Sequence, residues 1–124
     1  MNLSGGIPEE LYTLTQLEEL SIDYCYIGGQ LSSNIQNLKK LKHLNLRSCN
    51  LEGNLPEELA VLMDGDLEDC LLICNKLTGD IPDKIKNHSK WTTIWTSVVF
   101  DNQFNLTVDD VPAPVFDTND VWGN

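Results

Sequence analysis

A six-residue phrase, Leu-x-Gly-x-Ile-Pro, recurs along this chain and limits what it can fold into more than any other feature. It reads Leu3-Ser-Gly5-Gly-Ile7-Pro8, Ile27-Gly-Gly29-Gln-Leu31-Ser32, Leu51-Glu-Gly53-Asn-Leu55-Pro56 and Leu77-Thr-Gly79-Asp-Ile81-Pro82, at spacings of 24, 24 and 26 residues. A second pattern, Leu-x-x-Leu-x-x-Leu-x-Leu-x-x-Asn/Cys, runs between these phrases. It appears as Leu14, Leu17, Leu20, Ile22, Cys25 and again as Leu38, Leu41, Leu44, Leu46, Cys49. The third copy is Leu62, Leu67, Cys70, Leu72, Asn75, with its extra residues inside Met63-Asp64-Gly65-Asp66. A fixed period in this range is the signature of a repeat architecture, in which each unit buries its apolar face only against its neighbours.

The local physics follows from the period. Leu20-Ser21-Ile22 and Leu44-Asn45-Leu46 alternate apolar and polar residues, which describes a short strand with one buried face. Stacking such strands gives a parallel sheet with one continuous row of leucines behind it. The Asn or Cys that follows sits where the chain turns inward, and its polar group can bond backbone left unpaired by the turn. Cys25 and Cys49 therefore read as turn-ladder residues, and Cys70 as a small core residue in a leucine slot. Gly29, Gly53 and Gly79 permit a tight turn. Pro8, Pro56 and Pro82 fix the chain where a helix-like segment on the opposite face begins.

Recurrence of these positions over three units makes the chain resemble the leucine-rich-repeat family, from Leu3 to about Val99. The Leu-x-Gly-x-Ile-Pro tail is similar to the plant-type subclass, also found in bacterial surface proteins. The resemblance implies an α/β solenoid: a right-handed coil with short parallel strands on the concave face and irregular or short helical convex segments. It also implies an extracellular or surface-anchored location and a job in binding another macromolecule.

Residues 1–104 are assigned to the repeats, with a degenerate capping repeat over about 81–104. There Trp91 takes the place of Leu17, Ile94 that of Leu20, Thr96 replaces the second strand apolar, and Val99 replaces the Asn or Cys. Terminal repeats are atypical because they close the core, and Trp91 is large enough to do so. Residues 105–124 read as an acidic, proline-containing tail or linker. Ala113-Pro-Val-Phe116 with Val121-Trp-Gly123 faintly resembles the opening of thioredoxin-like domains, which gives a second reading: spacer repeats preceding a catalytic domain. Both ends look cut, so the chain is expected to be part of a longer one.

Composition narrows the partner. Of 124 residues, 19 are Asp or Glu and 8 are Lys or Arg, a net charge of -11, and five Asp with no Lys or Arg follow from Asp101 onward. Phosphate-rich partners would be repelled, which argues against nucleic acid; a basic partner is compatible, and so is plain solubility. No apolar run is long enough to insert this segment into a membrane, and no leader peptide is visible. Cys25, Cys49, Cys70 and Cys74 contain no Cys-x-x-Cys pair, and His43 and His88 are isolated, so no metal or other cofactor is expected. All four thiols are expected to be free. No Ser-His-Asp arrangement, phosphate loop or His-Glu-x-x-His is present, so no catalytic residue is assigned and the chain reads as a non-enzyme. Asn2, Asn87 and Asn105 each open an Asn-x-Ser/Thr triplet.

Function is expected on the concave strand face, where residues between the leucines point outward in columns. One column holds Glu19, His43, Asp69 and Thr93. The next holds Ser21, Asn45, Leu71 and Trp95, and a third holds Asp23, Arg47, Ile73 and Ser97, with Tyr24, Ser48 and Cys74 at the strand ends. The candidate ligand-binding residues are Glu19, Ser21, Asp23, Tyr24, His43, Asn45, Arg47, Asp69, Leu71, Ile73 and Trp95, facing a protein or peptide. Apolar residues beside Trp and Arg are what interface centres use. Two alternatives stay open: Trp95 belongs to the end cap, or Leu71 and Ile73 are buried by a register shift at the two-residue insertion.

Overall fold

The computed structural model describes residues 5–112. It contains two parallel three-stranded sheets lying side by side along a coil. The first joins β1 (Glu19–Ser21), β2 (His43–Asn45) and β4 (Asp69–Leu71); the second joins β3 (Glu52–Asn54), β5 (Lys76–Gly79) and β6 (Gln103–Phe104). The first sheet has the register that the period predicts, with Glu19 beside His43 beside Asp69, and Ser21 beside Asn45 beside Leu71. Because the two-residue insertion leaves that register intact, a shift burying Leu71 and Ile73 does not occur.

The insertion is absorbed on the opposite side of the coil. Coils one and two cross there as 3-10 turns (Glu9–Thr13 and Ser33–Asn37), whereas the third crosses as α1 (Leu59–Asp64) and the fourth begins with α2 (Asp83–Lys86). An α-helix rises less per residue than a 3-10 turn, so it fits more chain into the same span. Pro8 and Pro82 occupy the cap positions of their segments, and at the equivalent place the Ser32 hydroxyl accepts the Asn34 N–H at 3.0 Å.

Behind the first sheet the leucines stack in rows. Leu44, Leu46, Leu38, Leu41 and Leu51 are fully buried, as are Cys70 and Leu72 in the next coil. Leu14, the counterpart of Leu38 and Leu62, is 52% exposed because it lies on the first coil's outer edge. The second sheet, which the sequence pattern did not reveal, brings the backbones of successive Gly turns together. Gly53 and Gly79 have φ of 79° and 84°, and a Cβ on Gly79 would run into the Asn54 side chain.

The turn ladder accounts for the backbone groups that the coil leaves behind. The Asn75 amide is buried; its Oδ1 accepts the N–H groups of Cys49 and Leu51, each at 3.0 Å, and its Nδ2 donates to the carbonyls of Leu46 and Leu72. The Cys49 thiol donates to the Ile22 carbonyl at 2.8 Å, the place equivalent to Leu46. The residue just before each ladder position is left-handed: Tyr24, Ser48, Cys74 and Asp101 have φ of 54°, 57°, 60° and 56°.

The fourth coil departs from the sequence reading. Trp91–Val99 forms a helix, α3, where a strand with Thr93, Trp95 and Ser97 in the columns was expected. The reason is the apolar spacing Trp91, Ile94, Trp95, Val98, Val99, which is helical rather than alternating. The ladder residue is accordingly Asn102, not Val99. Its Nδ2 donates to the Leu72 carbonyl at 2.8 Å and its Oδ1 accepts the Leu77 N–H at 3.0 Å, as Asn75 does one coil earlier. Trp91 does fill the leucine row and is 2% exposed. Its indole N–H donates to the Asp110 carbonyl at 2.7 Å, and the buried Asp110 carboxylate accepts the Thr107 N–H at 2.8 Å beside Lys86 Nζ at 3.5 Å. The described start of the acidic segment, residues 105–112, is thus latched onto the last coil. The thioredoxin-like resemblance and the Asn2 triplet lie outside the described residues.

Candidate binding face

The first sheet presents two clusters on its outer face. At the strand starts, His43 Nδ1 lies 2.8 Å from Asp69 Oδ2, and its Nε2 lies 3.6 Å from Glu68 Oε2. The hydrogen bond to Asp69, reinforced by the charges of Asp69, Glu68 and Glu19, holds the imidazole above its usual pKa. Beside it, Lys42 Nζ pairs with Glu18 Oε1 at 3.2 Å. In the middle column the Asn45 amide reaches the Ser21 hydroxyl at 3.4 Å and accepts the Arg47 backbone N–H at 3.1 Å, fixing the strand's exit.

At the strand ends, Arg47, Asp23 and Tyr24 meet. The Arg47 guanidinium lies 3.4 Å from the Asp23 carboxylate and 5.0 Å from the centre of the Tyr24 ring. A cation over an aromatic face is attracted by the ring quadrupole. Tyr24 is nonetheless 67% exposed, and its neighbour beyond the turn, Tyr26, is 80% exposed. The left-handed conformation at Tyr24 turns its side chain out of the row, and Tyr24, Tyr26, Ser48, Cys74 and Lys76 line an open cleft of about 320 Å³. A larger cleft of about 760 Å³ lies among the 3-10 turns of the first two coils, on Glu9, Tyr12 and Asn34, away from the strand face.

Leu71 and Ile73 continue the middle and third columns and are half-buried. Trp95 does not join them. It sits on α3, half-buried, with its ring 6.0 Å from that of Phe100, so it belongs to the end cap and leaves the candidate face. Sequence reasoning missed Tyr26, which falls after the ladder position where the chain was read as turning inward.

The thiols differ sharply along the coil. Cys70 is fully buried, and desolvation pushes its thiol up to about 12; burial also raises Cys49, whereas Cys74 is exposed and lies 3.4 Å from the Asp101 carboxylate. All four are free thiols in the structure. Among the described residues no cluster of three His, Cys, Asp or Glu could hold a metal ion, and no helix is long and apolar enough to cross a membrane.

Two parallel sheets on one coil, an Asn/Cys turn ladder and a glycine turn in each unit define a plant-type leucine-rich repeat. Comparison with known proteins agrees. The sequence profile of the Leucine Rich Repeat family matches residues 16–38 and 40–62. Receptor-like protein 52 of Arabidopsis thaliana is 39% identical over 80 residues, which is 64% of this chain and 10% of that protein. Among solved structures, the BIR3–SERK2 complex from Arabidopsis thaliana superposes with a TM-score of 0.72 at 26% identity, covering 86% of this chain and 54% of that one. The leucine-rich-repeat ectodomain of the Arabidopsis receptor kinase HAESA, in complex with an extended IDA peptide hormone, has a TM-score of 0.64 at 33% identity, covering 80% of this chain and 16% of that one. The chain carries leucine-rich repeats of the plant type. It spans no more than a tenth of the length of the curated relatives it matches.

Proposed function

We propose that this chain is a binding module of an extracellular or surface-anchored protein, and that it takes a protein or peptide partner on the face of β1, β2 and β4. It acts by binding rather than by catalysis. The observation that carries this reading is the Tyr24–Arg47–Asp23 cluster. Core packing does not require an aromatic ring that is 67% exposed with a guanidinium 5.0 Å above it, yet the pair is held just beyond the ends of β1 and β2. Tyr and Arg are the residue types that dominate interface energetics. The HAESA ectodomain holds a peptide hormone, and the BIR3–SERK2 structure is a complex with another protein; both support the class of partner. The extracellular location draws on the same receptor relatives.

The test is a random peptide library panned against the immobilised chain, with selected peptides measured by titration calorimetry. Arg47→Ala and Tyr24→Ala are each expected to weaken binding by about 1 kcal/mol or more, and Gln36→Ala on the opposite side to leave it unchanged. Unchanged affinity in Arg47→Ala with a lowered melting temperature would make Arg47 a structural partner of Asp23 and remove this face from the site.

A further inference from the structure

Counting back from the ladder residue carries the third column of the strand face into the fourth coil. Asp23, Arg47 and Ile73 each stand two places before their ladder residues Cys25, Cys49 and Asn75, and Phe100 stands two places before Asn102. Backbone bonds join these places in series. The N–H groups of Tyr24, Ser48 and Cys74 donate to the carbonyls of Arg47, Ile73 and Phe100 at 3.1, 3.2 and 3.4 Å. The column therefore runs Asp23, Arg47, Ile73, Phe100, with Phe100 in the place that the simple period gives to Ser97.

The column changes character along its length. Its first half is the Asp23–Arg47 ion pair, and its second half is apolar. Ile73 is half-buried and Phe100 is 56% exposed, with the Trp95 ring 6.0 Å away and tilted by 58°, so that α3 backs the phenyl ring. Aspartate and arginine hold the same place in the earlier coils, so the backbone path does not require an apolar side chain there. An aromatic ring left in water beside a second apolar residue is what interface centres use. The described chain departs from the other end of α3: Asp110 is bonded to the Trp91 indole, about 13 Å along the helix from Phe100. Around the apolar end the strand face is predominantly acidic, with Glu19, Asp23 and Asp69 in its columns and Asp101 next to Phe100 on the rim.

We propose that Ile73 and Phe100, backed by Trp95, form an apolar subsite of the binding face, and that this subsite takes a large aliphatic or aromatic side chain of an extended, cationic peptide segment. The subsite rests on the binding-module reading above and gives that module's partner its chemistry. Neighbouring coils lie about 4.8 Å apart, so Asp23 is separated from the middle of the Ile73–Phe100 pair by about 12 Å. An extended chain advances about 3.3 Å per residue. A segment crossing the coils therefore sets its apolar anchor about three or four residues from a lysine or arginine that faces Asp23 and Glu19. Carboxylates on the segment are repelled by the same acidic columns. The charged end of the column thus selects and orients the segment, and the Phe100 end supplies the apolar area that it buries.

Short random peptides panned against the full chain, then measured by titration calorimetry beside their apolar-to-alanine derivatives, decide the matter. The selected peptides are expected to share a large apolar residue at that spacing from Lys or Arg. Phe100→Ser is expected to weaken them about fivefold or more, and Phe100→Leu to keep most of the affinity. Against the alanine derivatives the effect of Phe100→Ser is expected to vanish, which a merely structural role of the ring would not produce. Ile73→Ser takes the place of Phe100→Ser if the latter loses its denaturation midpoint. Peptides weakened by Arg47→Ala but bound unchanged by Phe100→Ser and Ile73→Ser would overturn the subsite and leave the strand face standing. An empty selection, or peptides indifferent to Arg47, Tyr24 and Phe100 alike, would overturn the binding-face reading and the subsite with it. Acidic peptides that depend on Phe100 would overturn the cationic partner.

Discussion

The second and fourth coils solve the same problem with different materials. In the second, His43–Asn45 is a strand paired on both sides, by β1 and β4. In the fourth, the corresponding stretch is α3, and it meets the sheet through single bonds such as Leu72 N–H to the Ser97 carbonyl at 2.8 Å. The path nonetheless rejoins the repeat at Asn102, which reproduces the bonds of Asn75 three residues later than the simple period would place it. What defines a coil here is therefore the ladder side chain that collects orphaned backbone groups. The strand can be exchanged for a helix when the apolar spacing demands it, provided that the ladder returns. Within the first sheet, α3 offers no strand edge to pair with, whereas the second sheet continues through β6.

The comparison breaks most visibly if the ladder is removed. Asn75→Ala would leave the N–H groups of Cys49 and Leu51 and the carbonyls of Leu46 and Leu72 without this partner. It is expected to cost about 3–5 kcal/mol, against about 1–2 kcal/mol for the half-buried Asn102→Ala. Urea denaturation of both variants measures this, and equal losses would mean that the fourth coil is as integral as the third. Leu44→Ala, in the centre of the buried row, is expected to cost about 2–5 kcal/mol, and Leu14→Ala on the exposed edge less than about 1 kcal/mol; the same denaturation series decides.

Cys49→Asn sharpens the comparison in the opposite direction. A thiol supplies one weak donor where Asn75 supplies two good donors and an acceptor. The substitution is expected to stabilise by about 1 kcal/mol, seen as a raised denaturant midpoint, and a loss would show that the second coil is too narrow for an amide. The unaltered protein, denatured without reductant, is expected to titrate four thiols; two would place a disulfide in the ladder. The smallest effect is that of pH. Since the folded His43 titrates above its unfolded value, its contribution is complete below about pH 6.5 and is lost as pH rises through the folded pKa. Denaturant midpoints are expected to drop as pH rises above about 6.5, by less in His43→Gln. An equal drop in the two proteins would assign the pH dependence to other groups.

The first three coils were legible because every structural requirement recurs: a Leu at 20 and 44 in the strand, Cys25, Cys49 and Asn75 at the turn, Gly29, Gly53 and Gly79 beyond it. The register of the strand face, and with it the meeting of His43 with Asp69 and of Arg47 with Asp23, followed from that recurrence. The fourth coil was misread because the repeat template was extended over residues whose own spacing is helical; Trp91, Ile94, Trp95, Val98 and Val99 carried the signal, and it moved Trp95 from the candidate face to the cap. The second sheet was invisible for a different reason. Glu52-Gly53-Asn54 has almost no strand propensity, and only the close approach of successive glycine turns draws such a segment into pairing.

Tyr24, Ser48, Cys74 and Asp101 all adopt a left-handed backbone that side chains normally resist at roughly 1–2 kcal/mol. Glycine, which would relieve that resistance, occupies none of the four. Tyr24, Ser48 and Cys74 each donate a backbone N–H to the next coil, and after Ser48, Cys74 and Asp101 the ladder side chain bonds the surrounding backbone, so the path is held by backbone groups rather than by a particular side chain. A phenol, a hydroxyl, a thiol and a carboxylate consequently stand at one geometric address, repeated once per coil along the rim of the strand face. Such a position can change its chemical character without redrawing the chain's path, and a lineage of these proteins can explore new specificities there one substitution at a time.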